Sequence, residues 1–101
     1  MREANSDNLE EILNSPDKVA LDFYGDWCGP CKQMLPIFKK VNKSVSDITF
    51  YKVDVDTNQD IVQTYNIKSI PTVVIIKNGK EISRFAGSMT EEEVKNKLDE
   101  I

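Results

Sequence analysis

The sequence predicts an α/β fold, a central mixed sheet of four or five strands flanked by helices on both faces. Two observations carry this. Val19 to Tyr24 is an apolar run that leads into a long amphipathic segment and then into a second run, Ile48 to Val55. Strand, crossover helix and strand in that order make a right-handed parallel βαβ unit. In the second half, Thr72 to Lys77 and Glu81 to Ala86 flank Asn78-Gly79, a strong two-residue hairpin signal, and a last helical pattern follows.

Taken in order, Arg2 to Ala4 supplies at most a short edge strand. Asp7 to Glu10 has the spacing of a capping box, with Asp7 as the cap. Leu9, Ile12 and Leu13 then mark one apolar helix face, which Asn14-Ser-Pro-Asp17 ends. Val19 to Tyr24 reads as a strand buried on both faces, and Asp22 is its anomaly. An acid in such a run is expensive unless it is paired, neutral or used. Met34, Leu35, Phe38, Val41 and Val45 recur at helical spacing, with Pro36 inside them, which predicts one bent helix. After the second strand, Asp56 to Gln59 is a capping loop and Gln59 to Tyr65 a short helix. Thr90 and Glu93 form another capping box, from which Val94, Leu98 and Ile101 face inward.

A chain of 101 residues, 40% hydrophobic and 30% charged, fits one domain spanning residues 1–101 with a core that needs no disulfide staples. A formal net charge of −4 argues against nucleic acid as the main ligand. Lys32, Lys39, Lys40 and Lys43 read as the solvated face of the long helix. The polar start, Met1 to Asp7, does not resemble a signal peptide, and no apolar run reaches membrane-spanning length. The expectation is a soluble, cytoplasmic protein whose cysteine pair spends much of its time reduced.

The chain is organised around Trp27-Cys28-Gly29-Pro30-Cys31-Lys32, which holds both cysteines where a strand hands over to a helix. A first helical turn has free N–H groups and the positive end of the helix dipole, so a thiol seated there ionises more readily. The thiolate is the attacking species in disulfide exchange. Two cysteines at i and i+3 also lie within bonding reach. Pro30 is tolerated because a first turn needs no N–H from it. The pair reads as a cycling dithiol, with Cys28 outermost and Cys31 one turn in.

With these residues in place, the chain resembles the thioredoxin family from about Val19 to its end. The motifs agree in order: Asp22-Phe23, Trp27 to Lys32, Pro36, Lys52, Ile70-Pro71-Thr72, Lys77-Asn-Gly79 and Gly87. The resemblance implies the thioredoxin fold and the reduction of protein disulfides. Cys28 would attack the substrate disulfide and Cys31 would resolve the mixed disulfide. The redox-active disulfide Cys28–Cys31 would serve in place of any bound cofactor. It implies recycling by a flavin-containing thioredoxin reductase, disulfide-bearing protein substrates and a monomer. Asp22 matches the buried carboxylate that exchanges a proton with Cys31 through water, with Lys52 in electrostatic support; the alternative is a simple Asp22–Lys52 ion pair. Pro71 matches a cis-proline that would present the backbone of Ile70 to an extended substrate. Trp27 would partly shield the site, and Gly29, Pro30, Ile70, Gly87 and Ser88 would form an apolar docking rim. Three features depart from the family: a short or missing first strand, Gly25 in place of a frequent alanine, and Tyr24 in place of a frequent tryptophan.

Three rival classes are weighed against this. Zinc binding lacks ligands, since there is no histidine and no third cysteine. An oxidase or isomerase of an oxidising compartment is disfavoured by the Gly-Pro dipeptide, which lacks a histidine to stabilise the thiolate further. A binding or scaffold module on the same fold, with redox incidental, is the main alternative.

Overall fold

The structure, a computed structural model, describes residues 1–101. Its strands are β1 (Arg2–Glu3), β2 (Lys18–Tyr24), β3 (Ile48–Asp54), β4 (Thr72–Lys77) and β5 (Lys80–Ala86). Its helices are α1 (Leu9–Leu13), α2 (Gly29–Ser44), α3 (Gln59–Thr64) and α4 (Glu91–Asp99). The sheet order is β1-β3-β2-β4-β5, so β2 is the middle strand. It runs parallel to β3 and antiparallel to β4. The near-continuous apolar sequence of β2 follows from this position: Val19 to Phe23 are all buried.

Strand alternation divides those residues between two cores. On one face, Ala20 joins Phe50, Val73 and Ile75 beneath Met34, Phe38 and Val41 of α2 and Val94 and Leu98 of α4. Phe38 stacks on Phe50 with ring centroids 5.6 Å apart. On the other face, Val19, Leu21 and Phe23 pack with Val53, Val74 and Ile76 against Ile12 of α1 and Ile61 of α3. Asp22 has the parity of Ala20 and lies on the α2 face.

The long helix runs as one element through Pro36. Asn78 and Gly79 take positive φ of 53° and 77°, as a tight hairpin turn requires. The Thr90–Glu93 capping box forms with both of its hydrogen bonds. Met89 donates its N–H to Met34 Sδ at 3.3 Å, which ties the turn after β5 to α2.

One local expectation needs correction, and two details of the elements were not foreseen. The first helix is not capped by Asp7. Asn5 and Asn8 cap the turn before it reciprocally: Asn8 N–H donates to Asn5 Oδ1 at 3.1 Å, and Asn5 N–H to Asn8 Oδ1 at 2.8 Å. The regular helix starts only at Leu9. Asn side chains compete for nearby backbone donors as well as Asp does, and here they act one turn earlier. The third helix stops at Thr64, and Tyr65 is its cap. The β4–β5 ladder has an irregularity: Ile75 pairs with Ser83 and Ile76 with Glu81, leaving Ile82 out of register and 46% exposed.

Phe38→Ala should therefore destabilise the protein by about 3–5 kcal/mol, because it opens a cavity under α2. Ile82→Ala should change stability by less than about 0.5 kcal/mol, because the bulged side chain already faces water. Urea unfolding of the two variants checks both.

Candidate active site

Cys28 is the N-cap residue of α2, with extended backbone at φ −89° and ψ 109°. It sits four residues past Tyr24, the last residue of β2. The neighbours of β2 lie on opposite sides there, and the chain leaves the sheet where open α/β proteins place their sites. Cys28 donates its N–H to the Gly25 carbonyl at 3.0 Å, which closes the turn. Its Sγ accepts the Cys31 N–H at 3.2 Å. The sulfur thus takes the part that a serine or aspartate oxygen plays in an ordinary cap. Pro30 occupies the first turn, where it forfeits no helix bond. Cys28 and Cys31 are joined as a disulfide, with Cα atoms 5.3 Å apart.

The expected contrast between an outer and an inner cysteine is not a contrast in exposure. Cys28 is 5% exposed and Cys31 4%, because the bond draws the two sulfurs together. They differ in neighbours. Cys28 is flanked by exposed Trp27, Gly29 and Pro30. Cys31 lines a small, partly open cavity of about 110 Å³ with Asp22, Tyr24, Leu35, Lys32 and Lys52.

Asp22 is 2% exposed, and its Oδ1 has no hydrogen-bond partner. Burial pushes its pKa up to about 7, against a smaller downward pull from the Lys52 ammonium. The two residues are paired in the β2–β3 ladder, yet no direct ion pair forms between them. The carboxyl group and Cys31 instead share a cavity with room for water.

Strand pairing assembles the rest. Phe23 pairs with Thr72, which sets Pro71 beside the carboxyl end of β2. Thr72 pairs with Ala86, and Gly87 donates its N–H to the Pro71 carbonyl at 2.9 Å. Gly87 has φ 89°, which glycine adopts without penalty. The Ile70–Pro71 peptide bond is cis.

Trp27 is 68% exposed, and its Nε1 donates to Asp56 Oδ2 at 2.9 Å. Its indole lies over Gly25. A Cβ on Gly25 would fall 2.9 Å from Trp27 Cε2 and 3.2 Å from Ile70 Cδ1. The ring thus borders an apolar groove of about 420 Å³ shared with Val55, Val62, Ile67 and Ile70. Two members of this arrangement escaped the sequence reading. Asp56 looked like a capping residue, and nothing local marks it as the indole's anchor. Gly25 stands where the family often has alanine, and a Cβ there would crowd the indole in this position. Lys32, Lys39 and Lys43 are exposed as expected, and Lys40 pairs with Glu91 at 3.1 Å.

Comparison with known proteins agrees with this geometry. The family model described as Thioredoxin matches residues 1–100. A thioredoxin of Mycoplasmoides gallisepticum is 43% identical over 94 residues, covering 93% of this chain and 94% of that one. A thioredoxin of Mycoplasma genitalium is 47% identical over 81 residues, covering 80% and 79%. Among solved structures, the thioredoxin of Fasciola hepatica superposes with a TM-score of 0.89 at 34% identity, over 99% of this chain and 98% of that one. The sheet with helices on both faces is the thioredoxin fold, and the bonded cysteine pair carries the dithiol reduction of protein disulfides. The chain belongs to the thioredoxin family.

Proposed function

We propose that the chain acts as one domain, a cytoplasmic, monomeric electron carrier that reduces protein disulfides and is itself recycled by a flavin-containing thioredoxin reductase. The seat of Cys28 at the start of α2, with its Sγ already accepting a backbone N–H, is the observation that carries this reading. In the reduced protein the same donor and the helix dipole favour the Cys28 thiolate. That thiolate attacks one sulfur of a substrate disulfide. A mixed disulfide forms and the first substrate thiolate leaves. Cys31 then gives its proton to Asp22 through water in their shared cavity and attacks Cys28 Sγ. The second substrate thiolate leaves, and two electrons have passed from the dithiol to the substrate. No resident cofactor takes part; the Cys28–Cys31 disulfide is itself the oxidised carrier.

Lys52 supports Asp22 electrostatically. Trp27, Gly29, Pro30, Ile70 and Gly87 form the docking surface around Pro71, which is itself buried. The proximity of Pro71, Gly87 and the end of β2, and the exposure of Trp27, Gly29 and Pro30, support this assignment. No helix is long and apolar enough to cross a membrane.

A reductase-coupled assay on insulin disulfides tests the whole reading. Cys28→Ser should abolish turnover, and Cys31→Ser should accumulate mixed disulfides with substrate. Intact turnover in Cys31→Ser would reject the resolving role. If the double serine variant kept the chain's cellular phenotype, the scaffold alternative would take its place.

Asp22→Asn gives a second check, in stability. The folded acid titrates near 7, against 3.8 unpaired, so the folded state holds more protons than the unfolded state between those values. Stability from this group is full below the lower value and falls as pH rises through the upper one. Asp22→Asn should thus stabilise the protein at pH 8 by about 4 kcal/mol more than at pH 3. Denaturant unfolding at the two pH values measures the difference.

Gly25→Ala should displace the indole. Trp27 is the only tryptophan, so its fluorescence reports the change directly. We expect a shifted emission spectrum and a raised KM for protein substrates, with kcat nearly unchanged. An unaltered spectrum would show that the ring tolerates the methyl group.

A further inference from the structure

The side of the sheet that carries Asp22 holds a row of charge, of which the proton-transfer step uses Asp22 and Lys52 but neither Glu3 nor the adjacent Tyr24. In the ladder, Glu3 of β1 pairs with Lys52 of β3, and Lys52 pairs with Asp22 of β2. Paired residues in parallel strands point to the same face, so an acid, a base and an acid lie side by side. Tyr24, two residues beyond Asp22, shares that face and the cavity with Asp22 and Cys31. Its hydroxyl donates to Glu3 Oε1 at 2.8 Å. Its ring lies under the Lys52 ammonium, with Nζ 5.6 Å from the centroid. Lys52 has no ion pair of its own. A lysine on a flexible four-carbon stem needs something to hold it, and here the aromatic face does so.

We propose that Tyr24, anchored by Glu3, is a positioning residue that seats the Lys52 ammonium beside Asp22 and makes the amino-terminal edge strand part of the acid–base machinery. The proposal rests on the reading of Asp22 as the proton carrier. The order of action is Glu3 on Tyr24, Tyr24 on Lys52, and Lys52 on Asp22. Burial first, and then the Glu3 carboxylate, push the Tyr24 phenol above its ordinary range, so it stays a donor at any working pH. The other charged groups facing the cavity or the ring are Asp26 after β2, Lys32 on α2 and Asp54, the β3 partner of Tyr24. The two aspartates oppose the effect of the ammonium and Lys32 adds to it. Tyr24 is uncharged, so any influence of its ring on Asp22 must pass through Lys52 or through water access. The experiment separates these two routes.

The test is a pH titration of the Asp22 carboxyl carbon by NMR in the oxidised protein, where neither cysteine titrates. Tyr24→Leu removes the seat and frees the ammonium, so the Asp22 midpoint should rise by about half a unit. Tyr24→Phe keeps the ring but cuts the tie to Glu3, and should give a smaller rise. In a Lys52→Met background, Tyr24→Leu should produce no further rise. A Tyr24→Leu midpoint that is unchanged or lowered overturns the proposal. So does an equal shift in the Lys52→Met background, which would assign the effect to water access. An unchanged midpoint in Tyr24→Phe removes Glu3 and the edge strand from the chain of action. If Asp22→Asn leaves the exchange rate unaltered, the proton-carrier reading fails, while the titration still decides whether the seat exists.

Discussion

One sulfur at one helix start sets the terms for the rest of this structure. Cys28 Sγ accepts the Cys31 N–H where the backbone leaves β2 and enters α2. That geometry requires a strand that ends in the middle of a sheet, so that the turn is held from both sides. β2 meets the requirement, with β3 on one edge and β4 on the other. It also requires a helix that does not move. Met34, Phe38 and Val41 fix α2 to the sheet through the larger of the two cores. Chemistry at the sulfur thus depends on apolar burial well away from it.

The buried acid follows from the same placement. A residue of β2 with the parity of Ala20 must face α2, and Asp22 does so two residues before the strand ends. Its side chain and Cys31 line the same small cavity. Burial without a partner raises its pKa into the range where a thiol and a carboxyl can trade a proton near neutrality. A direct contact with Lys52 would hold the acid ionised and remove that property. The ladder brings the two residues level; the ammonium lies over the Tyr24 ring, and the carboxyl oxygen is unpaired.

Much of this was legible in the chain because strong local signals agreed with the tertiary result. The apolar runs of β2 and β4, the Asn78-Gly79 turn and the Thr90–Glu93 box each specify their element with short-range chemistry. Asp22 stood out because it broke a buried run. The less legible parts depend on contacts across the sequence. β1 is two exposed residues that form a strand only because β3 offers an edge. Asn5 and Asn8 displaced Asp7 as caps because several side chains compete for the same few donors. The position of Trp27 depends on a missing Cβ at Gly25 and on Asp56, 29 residues away. The Glu3–Tyr24 bond spans 21 residues, and no periodicity in either segment announces it.

The most direct test of the thiolate seat is the pH dependence of alkylation in the fully reduced protein, with the modified sulfur identified by peptide mapping. The expected result is that Cys28 reacts first, with its half-maximal rate at a pH below that of free cysteine under the same conditions. Preferential modification of Cys31, or a Cys28 profile no more acidic than free cysteine, would contradict it.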